Sequence, residues 1–162
     1  MKLINGRGQL GKALRKHAYK FSDVIIYHTW NLDDQTERTQ KNEYEKFKKF
    51  VDENINETII FISTTHEVWG EYLRYKMKAE LYLLENTIYG KVIRISYLMG
   101  KGLCKRIKEG YVPFPGEIEL SIIEDIAEKI CDNILNTKRL IFIHGHWINA
   151  SLVSELINYG KL

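Results

Sequence analysis

Near the start of the chain, residues 2–14 read Lys2-Leu3-Ile4-Asn5-Gly6-Arg7-Gly8-Gln9-Leu10-Gly11-Lys12-Ala13-Leu14, and this stretch decides the fold. A short apolar run, Leu3-Ile4, meets three glycines. Leu10, Ala13, Leu14 and Ala18 then follow at helical spacing. The order predicts a strand, a tight turn and a helix. In that setting Gly6-x-Gly8-x-x-Gly11 is a turn able to hold a pyrophosphate against the first N–H groups of a helix. Glycine permits the tight turn, the close approach of the phosphate and the close packing of helix on strand. Gly6, Arg7, Gly8, Gln9, Leu10 and Gly11 are therefore the candidate cofactor-binding residues, and a ligand-free turn is the alternative. A guanidinium at Arg7 can reach the 2′-phosphate of an adenosine, which favours NADP and leaves NAD open. A solvated surface arginine is the plainer reading.

Outward from this turn the chain alternates. "DVIIYHTW" (residues 23–30), "TIIFISTT" (58–65), "KVIRISYL" (91–98) and "RLIFIHG" (139–145) are apolar, β-branched runs. Each reads as a strand buried on both faces. Between them, Tyr44, Phe47, Phe50, Val51 and Ile55 fall at helical spacing after a polar loop or helix entry at 31–40. A further helix runs to about Asn86. Ser121 with Glu124 is a capping-box signature for a helix carrying Ile122, Ile123, Ile126, Ile130, Ile134 and Leu135. Residues 100–116 read as a glycine-punctuated loop, and "NASLVSELI" as a short terminal helix. The expectation is a single α/β domain over residues 1–162: a Rossmann-like three-layer sandwich with a mostly parallel sheet.

Composition excludes several classes. A net charge of +3 with scattered lysines does not argue for nucleic acid. No apolar run approaches the roughly 20 residues of a membrane helix, and the polar N-terminus lacks a signal-peptide core, so a cytoplasmic location is expected. Cys104 and Cys131 are not in metal-type spacing and read as free thiols, Cys131 as a buried one. His66, His144 and His146 have no acidic or cysteine partner at ligand spacing, so no metal site is expected. Trp30, Trp69 and Trp147 each follow a strand end, where they line a ligand crevice or simply pack.

Tyr72 and Lys76 stand four residues apart in "EYLRYKMKAELYLLE", on one face of the predicted helix. A phenol titrates near ~10 and serves as an acid–base group at neutral pH only if its anion is stabilised. A lysine one turn away does this. Ser63, Thr64 or Thr65, at the end of the preceding strand, supplies a hydroxyl to polarise a substrate carbonyl. Ten tyrosines and many lysines also make a chance pair ordinary, with Tyr72, Tyr75 and Tyr82 simply packing on the sheet.

These motifs resemble the extended, sugar-nucleotide-modifying branch of the short-chain dehydrogenase/reductase superfamily, the NAD-dependent epimerase/dehydratase type. "NGRGQLGKAL" is similar to its N-terminal turn. "IIFISTTHEVWGEYLRYKMKAE" is similar to its strand, Ser/Thr element and Tyr-x-x-x-Lys-x-x-Ala-Glu helix, here Tyr72, Lys76, Ala79 and Glu80. "VIRISYLMGKG" resembles the next strand, and "IELSIIEDIAEKICDNIL" a later segment containing Asp125. The resemblance implies Tyr72 as acid–base group, Lys76 as its partner and Ser63 or Thr64 as carbonyl donor. It also implies Thr29 beside an NADP or NAD cofactor, and Asn42 supporting a proton relay. The chain departs from the family in being shortened. A β-α-β-α block after the first helix is absent with its ribose-binding acid, the first family glycine is Asn5, and Tyr75 stands in place of a serine.

Two functions follow. One is an NAD(P)-dependent oxidoreductase or epimerase of a nucleotide sugar, working as a homodimer. The other is a truncated, non-catalytic relative that binds a nucleotide or nucleotide sugar or acts in assembly. The resemblance implies dimer contacts at Tyr44, Phe47 and Tyr82.

Overall fold

The computed structural model describes residues 2–4, 7–17, 21–65, 69–99, 117–149 and 152–153. Its elements run β1 (Lys2–Ile4), α1 (Gln9–Arg15), β2 (Val24–Tyr27), α2 (Glu37–Glu53), β3 (Thr58–Thr64), α3 (Glu71–Asn86), β4 (Lys91–Ile95), β5 (Tyr97–Leu98), β6 (Glu117–Ser121), α4 (Ile123–Asn133), β7 (Leu140–Ile143) and β8 (His146–Asn149).

Among the described residues, β1, β2, β3, β4 and β7 form one all-parallel sheet in that spatial order. Side chains alternate across it. Ile60, Ile62, Ile93 and Ile95 face α1 and α4, while Ile59, Phe61 and Val92 face α2 and α3. The second face is aromatic: Phe47 of α2 lies 4.4 Å from Phe61 and 4.8 Å from Tyr27, centroid to centroid. Phe47, Phe61, Leu14, Ile26, Ile60 and Ile93 are fully buried, each worth about 1.5–3 kcal/mol of transfer free energy. This is the expected three-layer α/β sandwich.

The order of the strands has a consequence. Every step from β1 to β7 moves the same way across the sheet, yet α1 and α4 cover one face and α2 and α3 the other. Crossovers on opposite faces then have opposite hands, against a rule of right-handedness that holds in about 98% of such units. A block placed after α1, adding strands beyond β1, would reverse that first step and give α1 the hand of α2 and α3.

Several sequence expectations are corrected. The run 91–98 divides at Ser96 into β4 and β5, which lie in different sheets. Ser121 does not cap a helix: it ends β6, α4 is preceded by Ile122 without a side-chain cap, and the Ser121 hydroxyl bonds that of Ser96 at 2.5 Å. Ile122 and Leu135 are exposed rather than part of the buried stripe. Residues 146–149 form β8, which pairs antiparallel with β6, and β6 pairs with β5. Cys131 is buried. Gly6, His66, Cys104 and most of the expected terminal helix lie outside the described residues. No described helix is long and apolar enough to cross a membrane.

Candidate active site

All five strands of the main sheet end at one edge. Ligands of open α/β sheets sit beyond that carboxyl edge, where neighbouring strands send their helices to opposite faces. Two places meet this condition: β1 against β2 (α1 and α2 diverge) and β3 against β4 (α3 and α4 diverge).

At the first place, Arg7 and Gly8 are exposed ahead of α1, and in its first turn Gln9 is exposed while Leu10 and Gly11 are buried. A side chain at Gly8 would meet nothing within 4 Å. Thr29 is half-buried just past β2, and His28 beside it has a buried Nε2 with no hydrogen-bond partner among the described residues. Burial pulls the His28 pKa down, and the nearby Lys76 and Arg15 cations add to this.

The loop that follows β2 is held by polar groups. Asn31 Oδ1 accepts the N–H groups of Asp33 and Asp34 at 3.0 Å, an Asx-type turn. Gln40 is wholly buried and makes three bonds: its Oε1 accepts from Trp30 Nε1 at 2.7 Å, and its Nε2 donates to Asn31 O and Asp34 O at 2.9 and 2.6 Å. The buried amide of α2 is therefore Gln40, and Asn42 is exposed. Trp30 is spent on the core, whereas Trp69 and Trp147 are exposed. Phe47, expected at a dimer contact, is fully buried within the chain; Tyr44 and Tyr82 pack edge to face at 6.4 Å, and the Tyr82 hydroxyl donates to Asp52.

At the second place, Lys76 is 4% exposed. Its Nζ donates to Ile62 O at 2.8 Å and lies 4.4 Å from the Phe61 ring and 4.9 Å from the Trp30 ring. Burial lowers its pKa from 10.5 to about 7, opposed by the Glu80 and Glu43 carboxylates. Ser63 lies on the same sheet face as α3 and is 3% exposed, and its Oγ has no hydrogen-bond partner among the described residues. Thr64, by strand alternation, faces the α1 and α4 side. Tyr72, one turn before Lys76, is half-buried against the α2–α3 core. Ser63 and Lys76 are thus brought together at Ile62, with Tyr72 on the same helix.

Beyond this pair, the structure reveals groups that sequence spacing did not offer. Arg94 of β4 holds Glu80 of α3 through Nε at 3.1 Å and Nη2 at 2.5 Å. Glu119 of β6 is 7% exposed and accepts from Gly145 N–H at 2.8 Å and Thr65 Oγ1 at 3.2 Å, and its Oε1 lies within hydrogen-bond distance of His144 Nδ1 at 3.0 Å. His144 was legible only as one of two histidines around a glycine. Glu119 fell at the margin of a segment read as loop and helix cap.

Comparison with solved structures gives one consistent answer. A dTDP-4-dehydrorhamnose reductase from Clostridium acetobutylicum superposes with a TM-score of 0.75 at 15% identity, covering 99% of this chain and 80% of that one. The dTDP-4-dehydrorhamnose reductase of Bacillus anthracis, in complex with NADP, gives 0.72 at 14% identity over 100% and 82%. The UDP-N-acetylglucosamine 4-epimerase of Bacillus cereus gives 0.72 at 14% identity over 98% and 80%. The chain has the fold of these sugar-nucleotide reductases and epimerases. At such identities the likeness speaks for the fold. No protein-family profile matches the sequence, and no curated protein does either.

Proposed function

We propose that this protein is a nicotinamide-dependent oxidoreductase or epimerase acting on a nucleotide sugar. The observation that carries the reading is the buried Ser63 hydroxyl, without a partner among the described residues, immediately after the carbonyl that anchors Lys76. A buried polar group left unmatched costs about 1–3 kcal/mol, and a substrate oxygen bound at this edge would match it. The chemistry of the edge fits a dinucleotide: open space at Gly8, the orphaned His28 Nε2, and diverging helices at β1 and β2. Arg7, Gly8, Gln9, Leu10, Gly11 and Thr29 would hold it, and Arg7 favours NADP over NAD. When bound, the group supplies or accepts the hydride.

The chain's own residues divide the remaining work. Ser63 orients the substrate oxygen by hydrogen bonding, and Tyr72 gives or takes its proton. Lys76, a cation buried one turn away, stabilises the phenolate by charge. The Ile62 carbonyl and the Glu80 and Glu43 carboxylates already offset part of the cost of burying Lys76, and a phenolate at Tyr72 would add to them.

One observation favours a different use of the same residues. Lys76 is already satisfied by Ile62 O and two ring faces, as an internal prop between α3 and β3 would be. On that second reading the chain binds a nucleotide or nucleotide sugar without turnover. The two are separated by incubating the protein with NADPH and a dTDP- or UDP-4-keto-sugar and following loss of reduced nicotinamide. The catalytic reading expects turnover that Tyr72→Phe abolishes while NADPH binding persists. Binding of the sugar nucleotide without turnover supports the second reading.

A further inference from the structure

We infer that Glu119 and His144 form a second proton-transfer site at the carboxyl edge, with His144 Nε2 as the atom that gives or takes a proton at a hydroxyl or carbonyl oxygen of the ligand. The nature of that ligand, a nucleotide sugar, rests on the function proposed above; the dyad does not.

A carboxylate as buried as Glu119 has to be matched by donors. Two of its three partners can only donate: the Gly145 backbone N–H, and the Thr65 hydroxyl, which shares its one proton between Glu119 Oε2 at 3.2 Å and the Ile95 carbonyl at 3.4 Å. The third is His144 Nδ1, 3.0 Å from Oε1. An ionised carboxylate only accepts, so the proton of the neutral imidazole belongs on Nδ1 and the lone pair on Nε2. The His144 side chain is 68% exposed, and no hydrogen bond ties Nε2 to the protein among the described residues. One nitrogen is locked inward and the other faces solvent.

The ring is also held in plane. Phe142, two residues earlier on the same strand face, lies nearly parallel at 9°, 6.2 Å away, and the Arg94 guanidinium sits 5.2 Å from the Phe142 centroid. Gly145 approaches β6 so closely that any Cβ there would collide with the Leu120 carbonyl and the Ser121 hydroxyl. That approach delivers the Gly145 N–H to Glu119. Thr65, the other donor, stands two residues past Ser63 and is still paired to Ile95 of β4, which puts the dyad at the carboxyl end of β3 and β4, where α3 and α4 diverge. Among the described residues, the Arg94–Glu80 ion pair lies behind Phe142.

In the forward direction the ligand's O–H bond breaks with its electron pair left on the oxygen, the Nε2 lone pair takes the proton to form an N–H bond, and the imidazolium so formed faces the Glu119 carboxylate. In reverse, Nε2–H returns the proton to the oxygen. A latch joining the small sheet to the main one would need the Glu119 bonds but would be indifferent to Nε2.

The test has two readouts on the full chain. Long-range ¹H–¹⁵N NMR of the labelled protein, assigned with His144→Gln, reads the tautomer. We expect neutral His144 to carry its proton on Nδ1, Glu119→Gln to lose that preference and Glu119→Asp to keep it. A wild-type ring protonated on Nε2 would overturn the dyad. In the NADPH and keto-sugar assay, His144→Gln should lower kcat roughly 100-fold, remove one limb of the pH profile and leave NADPH affinity unchanged. Unaltered kcat and pH profile would reduce the pair to a latch. A wild type that does not turn over would refute the nucleotide-sugar enzyme, and the tautomer would still decide the dyad. Retained far-ultraviolet circular dichroism confirms that each variant folds.

Discussion

The ammonium of Lys76 donates a 2.8 Å hydrogen bond to the carbonyl oxygen of Ile62, the residue that precedes Ser63. The bond crosses from the second turn of α3 to the carboxyl end of β3. It sets a buried cation, flanked by the Trp30 and Phe61 rings, beside a hydroxyl with no described partner. Whatever this edge binds, these two side chains are among the polar groups the fold has already removed from water.

That burial makes stability depend on pH. The folded pKa of Lys76 is lowered, by desolvation first, from 10.5 to about 7. Below about 7 both folded and unfolded chains hold the proton, and the cost of burying the charge is fully present. Between there and 10.5 the unfolded chain binds more protons, so stability rises with pH, at up to about 1.4 kcal/mol per pH unit. Urea unfolding across this window should show the rise in wild type and a flatter profile in Lys76→Met. Parallel profiles would mean that the lysine is hydrated.

Arg94→Ala removes the bidentate partner of Glu80, which is 4% exposed. Leaving a buried carboxylate without its cation should cost about 3–5 kcal/mol in urea denaturation. Arg94→Lys, which keeps charge and loses the fork, should fall between.

Gln40→Leu strands the Trp30 indole N–H and the carbonyls of Asn31 and Asp34 together. The expected loss is about 2–3 kcal/mol, with a shift in tryptophan emission as Trp30 gains water. Asn42→Leu, on the exposed side of α2, should change stability by no more than about 0.5 kcal/mol.

The sheet and its two helical layers were legible because apolar β-branched runs and the helix-period stripe of α2 both report burial on a regular lattice. The small sheet was not. In Glu117–Ser121 the alternation of Ile118 and Leu120 against Glu117 and Glu119 reads as a half-exposed edge, and Ser121-x-x-Glu124 mimics a helix cap. Glu119 is nevertheless buried, because donors from β3 and from the turn after β7 close over it. Such long-range closure leaves no local period. The Tyr72–Lys76 spacing placed both residues on α3, but no spacing rule tells whether a lysine turns to solvent or inward to a strand carbonyl. Gln40 was hidden for a similar reason, lying in a polar stretch whose loop folds back over it.

Gly145→Ala tests how the small sheet is mounted. Its Cβ would meet the Leu120 carbonyl, so β6 and β7 have to part and Glu119 loses its N–H donor. The expected cost is about 1–3 kcal/mol, with faster amide exchange in β6 and β8 and little change in β2 and β3. Uniform acceleration would tie the small sheet to the global unfolding of the core.

The most direct test of the account is a titration of NADPH, and separately NADH, followed by energy transfer from tryptophan to the reduced nicotinamide. Saturable NADPH binding that weakens on Arg7→Ala and survives Tyr72→Phe is the expected result. Absence of binding by either cofactor up to millimolar concentration would contradict it, and Lys76 would then be a prop between helix and strand.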